Sequence, residues 1–82
     1  MMYRVLDTTV LDRDVPDHGL LKGDLGAVVE VYEPDGLEVD FVTASGRTAA
    51  VLTLEARDVR PVADDDLLSV RPCSRTTDSG TR

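Results

Sequence analysis

The chain has 82 residues, of which 41% are hydrophobic, so it is long enough for one small domain with a modest core. Its 16 acidic and 9 basic residues give a formal net charge of −7, and such an acidic domain repels nucleic-acid phosphates and anionic membrane surfaces. No window reaches the roughly 18 apolar residues of a membrane span, the N-terminus lacks the apolar region of a signal peptide, and the single Cys73 excludes an internal disulfide, so we expect a cytoplasmic protein.

The first half of the chain contains two predicted strands joined by a long loop. β-branched residues favour a first strand over Val5–Leu11. Pro16 and Gly19 interrupt regular structure in the next segment, Asp12–Lys22, which we predict to be a long, exposed loop. A nearly unbroken run of β-forming residues then predicts a second strand over Leu25–Tyr32.

Two glycines, three residues apart, open this second strand. Gly23 and Gly26 can adopt backbone geometries and close approaches that a Cβ forbids, which predicts a bulge or tight bend that curls the sheet. Asp24, between them, is expected to accept backbone N–H groups in the turn. No helix and no Gly-Lys-Ser/Thr follow, so the glycines do not belong to a phosphate loop.

The second half predicts three further strands. The segment 34–36, Pro-Asp-Gly, has turn chemistry, with the glycine expected in the left-handed region, and Leu37–Thr43 alternates apolar and acidic residues as a half-buried strand does. A hairpin turn precedes a fourth strand over Arg47–Leu54. One helical turn at Glu55–Arg57 leads to a short last strand, Val59–Val62, where Pro61 is tolerated near the end.

Together these elements predict an all-β fold, a small five-stranded SH3-like barrel with a single helical turn before the last strand, over residues 1–63. Residues 64–82 are predicted to form an acidic and polar tail that is largely disordered. Within the tail, the apolar segment Leu67–Pro72 either packs on the barrel, which is the favoured interpretation, or binds a partner as a short motif. Residues 59–61 and 70–72 are both Val-Arg-Pro, which is too short to indicate a repeat.

Three segments resemble SH3-like barrels of the KOW and Tudor type, in which a glycine-rich entry opens one strand and a one-turn helix leads to the last. These segments are Gly23–Val31, Leu37–Phe41 and Leu54–Val62. The order of four shorter motifs is similar to that of a family of very short bacterial proteins known only as a domain of unknown function. These motifs are Leu6–Leu11, Asp17–Leu20, Gly23–Gly26 and Leu54-Glu55.

The resemblance covers about residues 3–62 and implies a single-domain cytoplasmic protein. Members of that family are often encoded beside genes assigned as toxins or genes of other small uncharacterised proteins, which implies an antitoxin-like or immunity-like binding role. SH3-like barrels commonly bind ligands near the first loop and the turn after the second strand. If these two regions converge here, their acids form one negative patch beside an aromatic ring, and the alternative is an ordinary solvated rim. The candidate protein-binding residues are Asp12, Asp14, Asp17, Tyr32, Glu33 and Asp35.

The sequence indicates no catalytic, cofactor or metal site. His18 is the only histidine and is interpreted as a loop residue rather than a metal ligand or general base with Asp17. The acids around it lack the Glu that a calcium loop needs at its twelfth position, and no zinc spacing or Ser-His-Asp arrangement is present. The basic pair Arg57 and Arg60 is expected to pair with Glu38 or Asp40 rather than to bind phosphate.

We therefore expect a non-catalytic, acidic protein-binding module that binds and modulates or neutralises a specific, basic bacterial protein. The alternatives are a KOW-like nucleic-acid or ribonucleoprotein-associated module and a small accessory subunit of a larger complex. The acidic charge and the three aromatic residues argue against nucleic acid, because single-stranded RNA recognition needs stacking aromatics beside a basic surface.

Overall fold

The computed structural model describes residues 3–72, which form five antiparallel strands and two three-residue 3-10 helices. The all-β, five-stranded fold that the sequence predicts is confirmed. The strands are β1 (Thr8–Leu11), β2 (Leu25–Tyr32), β3 (Gly36–Val42), β4 (Thr48–Glu55) and β5 (Val59–Pro61). The first 3-10 helix, Pro16–His18, lies between β1 and β2, and the second, Ala56–Asp58, lies between β4 and β5.

All five strands belong to one sheet with the order β4-β3-β2-β1-β5. The long strand β2 pairs with β1 through its first three residues and with β3 from Ala27 onward. The register of β2 against β3 shifts between Val28 and Glu30, which is the irregularity expected where a strand bends. The last strand returns to β1 with Val59 opposite Leu11, so the first and last strands meet at one edge of the sheet.

The core lies on one face of the sheet and is almost entirely aliphatic. Alternating residues of β3 and β4 supply half of it, in the period-2 pattern that the sequence predicts for β3. Leu11, Val28, Leu37 and Val39 are completely buried. Tyr3, which precedes every strand, is also buried, and its hydroxyl donates a hydrogen bond of 3.4 Å to the carbonyl oxygen of Val59.

The prediction for the first strand is wrong at its start, because β1 begins at Thr8 and not at Val5. Asp7 closes a turn with Arg4 in both directions: Asp7 N–H donates to Arg4 O at 3.0 Å, and Arg4 N–H donates to Asp7 Oδ2 at 2.9 Å. The turn leaves Val5 and Leu6 exposed and places Leu6 at φ 80°. The aspartate thus competes with the strand for the backbone groups that precede it.

The other strand bounds follow the sequence closely. β2 has the predicted bounds, β3 and β4 are each displaced by one residue, and β5 ends at Pro61. The helical turn covers Ala56–Asp58 because the Asp58 carboxylate accepts the Glu55 N–H at 2.9 Å and the Glu55 side chain accepts the Asp58 N–H. This reciprocal capping box makes Glu55 the residue before the helix.

The first residues of the predicted tail follow β5 and are described to Pro72. Residues 63–72, which we term the C-terminal arm, contain no strand or helix, but ion pairs from Arg60 to Asp66 and from Arg71 to Asp24 attach both of its ends. Leu67 and Val70 nevertheless remain 93% and 96% exposed, so these apolar side chains of the arm do not pack on the sheet. Cys73 and the rest of the predicted tail lie outside the described residues.

Candidate functional site

The two loops that carry the candidate binding residues are attached to opposite ends of the second 3-10 helix. The Asp12 N–H donates to the Asp58 carbonyl oxygen at 2.8 Å, and the Asp35 carbonyl oxygen accepts the Ala56 N–H at 2.8 Å. Three residues of 3-10 helix span about 6 Å, at a rise of about 2 Å each. The β1–β2 loop and the β2–β3 turn therefore border one short helix, although they leave β2 at opposite ends.

Asp58 contributes both its carbonyl oxygen, which binds Asp12, and its carboxylate to this junction. Its carboxylate accepts the Glu55 N–H and also pairs with Arg13, whose Nε donates to Oδ1 at 2.9 Å. Partial burial acts to raise the pKa of Asp58, but the hydrogen bonds from Arg13 and from the Glu55 backbone outweigh it and lower the pKa. The carboxylate therefore stays ionised and ties the first loop to the helix.

The sequence predicts the β1–β2 loop to be exposed, but part of the loop is buried and paired. Val15 and Leu20 form an isolated antiparallel bridge around the first 3-10 helix, and Leu20 is 4% exposed. Asp14 Oδ1 accepts the Lys22 N–H at 2.8 Å, so this acid also shapes the loop. Asp17 lies in the exposed 3-10 helix, and its side chain makes no hydrogen bond within residues 3–72.

The aromatic residue of the candidate surface, Tyr32, ends β2 just before the β2–β3 turn. Tyr32 is 44% exposed, and its hydroxyl donates to Glu38 Oε1 at 2.7 Å, a bond that raises the pKa of the phenol. Glu33 and Asp35 are exposed beside it. Gly36 does not take the left-handed conformation expected of it; it begins β3, and a Cβ there would lie 3.3 Å from Tyr32 Cβ.

The charges around this junction are only partly balanced. Arg57 pairs with Glu55 at 2.6 Å, and Lys22 Nζ lies 4.0 Å from Asp12 Oδ1. The remaining acids of the candidate set form no ion pair with any side chain between residues 3 and 72. These acids are Asp14, Asp17, Glu33 and Asp35. A surface of this kind attracts cations and basic groups over a distance of about one Debye length.

Within residues 3–72, no three His, Asp, Glu or Cys side chains are grouped as a metal ion would require. His18 donates its backbone N–H to Val15 O at 3.1 Å within the turn of the first 3-10 helix. His18 thus lies in the connection between β1 and β2.

Sequence reasoning missed the two Arg–Asp clamps that hold the C-terminal arm. The prediction that Arg60 pairs with Glu38 or Asp40 is wrong, because its Nη1 and Nη2 bind the two carboxylate oxygens of Asp66 at 2.8 and 3.0 Å. Arg71 also binds both carboxylate oxygens of Asp24, but through its Nε and Nη2.

The two clamping arginines also share a local geometry. Each donates Nη1–H to the carbonyl oxygen of the proline that follows it, at 3.1 Å. The two Val-Arg-Pro segments therefore share this side-chain-to-backbone hydrogen bond. The repeated tripeptide was the only signal for this in the sequence.

A groove of about 430 Å³ lies between the sheet and the C-terminal arm. Its floor is apolar, and Asp24 and Arg71 stand at its rim. The residues that line it include Leu20, Leu25, Phe41, Val42, Arg71 and Pro72.

The fold and its surface define a small, acidic, all-β domain with two loops joined at a 3-10 helix. The family model described as Domain of unknown function (DUF4926) matches residues 5–61, which is more than half of the chain, and the chain belongs to this family. No curated protein and no solved structure matches the chain. Over residues 3–72, no helix has the length and apolar character needed to cross a bilayer.

Proposed function

We propose that this chain is a non-catalytic protein-binding module whose acidic surface binds one specific basic protein of the bacterial cytoplasm. The observation that carries the proposal is the attachment of both acidic loops to the second 3-10 helix. Asp12 and Asp35 are bonded through their backbones to Asp58 and Ala56 respectively. The two acidic loops therefore lie on either side of one three-residue helix.

The acidic surface is suited to a basic partner because its charge is exposed and largely uncompensated. Asp17, Glu33 and Asp35 are exposed and make no ion pair with a described side chain. Opposite charge across an interface steers encounter and sets orientation, while its contribution to final affinity depends on which groups become desolvated. Tyr32 supplies an amphipathic ring of the type that is enriched at interface hot spots.

The role we favour is that of an antitoxin-like or immunity-like protein that modulates or neutralises its partner. This step rests on the resemblance to short bacterial proteins encoded beside toxin genes. The strand order and the 3-10 helix before β5 agree with an SH3-like barrel, in which the corresponding loops flank the ligand. Fold resemblance alone supports a binding role only by analogy.

The test compares two variants that change the net charge by the same amount. The protein is purified from its native host at low salt, a stoichiometric protein that co-elutes is identified, and its affinity is measured across a salt series. Asp17→Lys with Asp35→Lys should weaken binding at least tenfold and flatten the salt dependence. Neither carboxylate makes a side-chain hydrogen bond among the described residues, so the fold is retained.

The matched control is Asp64→Lys with Asp65→Lys, which reverses two exposed acids on the C-terminal arm. The proposal requires this control to keep most of the affinity. Equal losses in both variants would show that only net charge matters. Co-elution of RNA or DNA instead of a protein would also overturn the proposal.

A further inference from the structure

Three hydrogen-bond acceptors around Asp24 are arranged to bind one guanidinium group. Arg71 Nε donates to Asp24 Oδ1 at 2.9 Å, and Arg71 Nη2 donates both to Asp24 Oδ2 at 2.5 Å and to the Gly19 carbonyl oxygen at 3.0 Å. The carboxylate thus accepts two hydrogen bonds from the planar guanidinium, and the Gly19 carbonyl oxygen accepts a third. A lysine ammonium cannot match this bidentate geometry.

The acceptors are positioned by the β1–β2 loop and not by the arginine that occupies them. Asp24 Oδ2 also accepts the Leu21 N–H at 2.8 Å, which orients the carboxylate. Gly19 lies at φ 70° and donates its N–H to Pro16 O at 3.1 Å, which orients its carbonyl. The site is therefore preorganised by local contacts between residues 16 and 24.

The occupant, in contrast, comes from a distant and largely exposed segment of the chain. Arg71 is 47 residues from Asp24 in sequence, and Val70 beside it is 96% exposed. The nearest upstream anchor of the arm is Asp66, bound to Arg60. The arm between the two clamps buries no large apolar side chain, so few apolar contacts oppose its displacement from the site.

An apolar groove begins at the same carboxylate. Leu25, Phe41 and Val42 line the groove of about 430 Å³, and Pro72 lines its opposite side. The arm itself bounds this groove on one side, so a peptide whose arginine enters the Asp24 site would place its neighbouring residues where the arm now lies. The Arg71-Pro72 segment shows the conformation expected of such a bound peptide, in which the arginine Nη1–H donates to the following proline carbonyl oxygen at 3.1 Å.

We propose that Asp24 and the Gly19 carbonyl form an arginine-binding site for an extended Arg-Pro-type segment of a partner protein, and that Arg71 is its intramolecular occupant. The proposal deepens the proposed function, on which it rests for the basic character of the partner. The tethered Arg71 competes at an effective concentration of about millimolar, so a partner segment binds only when it displaces the arm. The arm therefore lowers affinity for weak ligands and selects for a true partner.

The test uses the full chain and a peptide of sequence Leu-Leu-Ser-Val-Arg-Pro, copied from residues 67–72. Peptide is titrated to millimolar concentration while the backbone amide resonances of residues 19–25 are followed by NMR. Arg71→Ala vacates the site and should bind the peptide at least tenfold more tightly than the wild type. Adding Asp24→Asn to Arg71→Ala should abolish the shifts, and a peptide with Lys in place of Arg should bind at least tenfold more weakly.

Equal peptide affinity in the wild type and Arg71→Ala would overturn the proposal, as would equal binding of the Lys peptide. A wild-type dimer that Arg71→Ala loses in sedimentation analysis would assign the site to an exchanged arm of a second copy, and would also overturn it. The variant Arg71→Ala carrying Asp17→Lys and Asp35→Lys should still bind the peptide, because the Asp24 site is intact. Failure of the acidic-surface proposal is therefore distinguishable from failure of this one.

Discussion

Gly26 in β2 lies directly against the ring of Phe41 in β3, on the buried face of the sheet. A Cβ at position 26 would approach Phe41 Cε2 to 2.9 Å and Val39 Cγ1 to 2.5 Å. Real Cβ atoms do not occupy such positions, so the glycine is required by packing. The aromatic ring thus fills the space that the missing side chain leaves.

The substitution Gly26→Ala should therefore destabilise the fold by about 1–3 kcal/mol through overpacking. Thermal unfolding followed by circular dichroism measures this loss. Phe41→Leu, which replaces the ring with a smaller side chain, should recover part of the loss in the double variant. An additive double variant would contradict the packing explanation.

Gly23→Ala, just before β2, tests backbone strain in place of a packing collision. Gly23 has φ 100°, and a Cβ added there would meet nothing within 4 Å, so the cost is backbone strain and not collision. We expect a loss of about 1 kcal/mol. Phe41→Leu should bring no recovery here, and Gly23→Asn, which tolerates this region better, should cost less than Gly23→Ala.

The substitution Asp58→Ala should cost about 1–2 kcal/mol, because it removes one half of the capping box and the partner of Arg13. It should also accelerate hydrogen exchange at the Asp12 amide, which bonds to the Asp58 carbonyl oxygen. Arg57→Ala is the control on the same helix, since its side chain is 83% exposed and pairs only with Glu55 among the described residues. Unchanged exchange at Asp12 in Asp58→Ala would show that the junction does not depend on this carboxylate.

The clamp between Arg60 and Asp66 predicts a specific acid sensitivity. The hydrogen bonds from Arg60 and from the Ala63 N–H lower the pKa of Asp66 from 3.8 to about 2. A depressed folded-state pKa contributes stability that is present above the unfolded value and is lost as the pH falls through the folded value. Asp66→Asn should therefore be less stable than the wild type at pH 7, and the difference should vanish between about pH 4 and pH 2. A constant difference across that range would contradict the role of the ionised carboxylate.

The hydrogen bond from Tyr32 to Glu38 can be tested by measuring the pKa of the Tyr32 phenol. It is the largest cause of the raised pKa of Tyr32, whereas burial is the largest cause for Tyr3. Glu38→Gln should lower the pKa of Tyr32 toward its ordinary value of 10.0 and leave that of Tyr3 unchanged. Ultraviolet absorbance of the tyrosinates, with Tyr3→Phe to isolate one phenol, measures both.

Local sequence determined most of the secondary structure, because the signals involved act over a few residues. The run of β-forming residues predicted β2 with its observed bounds, and the alternation of β3 predicted its buried face. Asp24 is predicted to accept backbone N–H groups in the turn between its glycines, and it accepts the Leu21 N–H. The start of β1 escaped prediction because Asp7 forms a turn in a segment of β-forming residues.

The tertiary structure alone decided which distant groups meet. Arg71 and Asp24 are 47 residues apart, and no local pattern specifies that pair over the other acids of the chain. The meeting of the two acidic loops at one 3-10 helix likewise follows from the return of β5 to β1. The collision that forbids a side chain at Gly26 depends on the register of β2 against β3. Such contacts are fixed by sheet register and chain closure, which are properties of the whole fold.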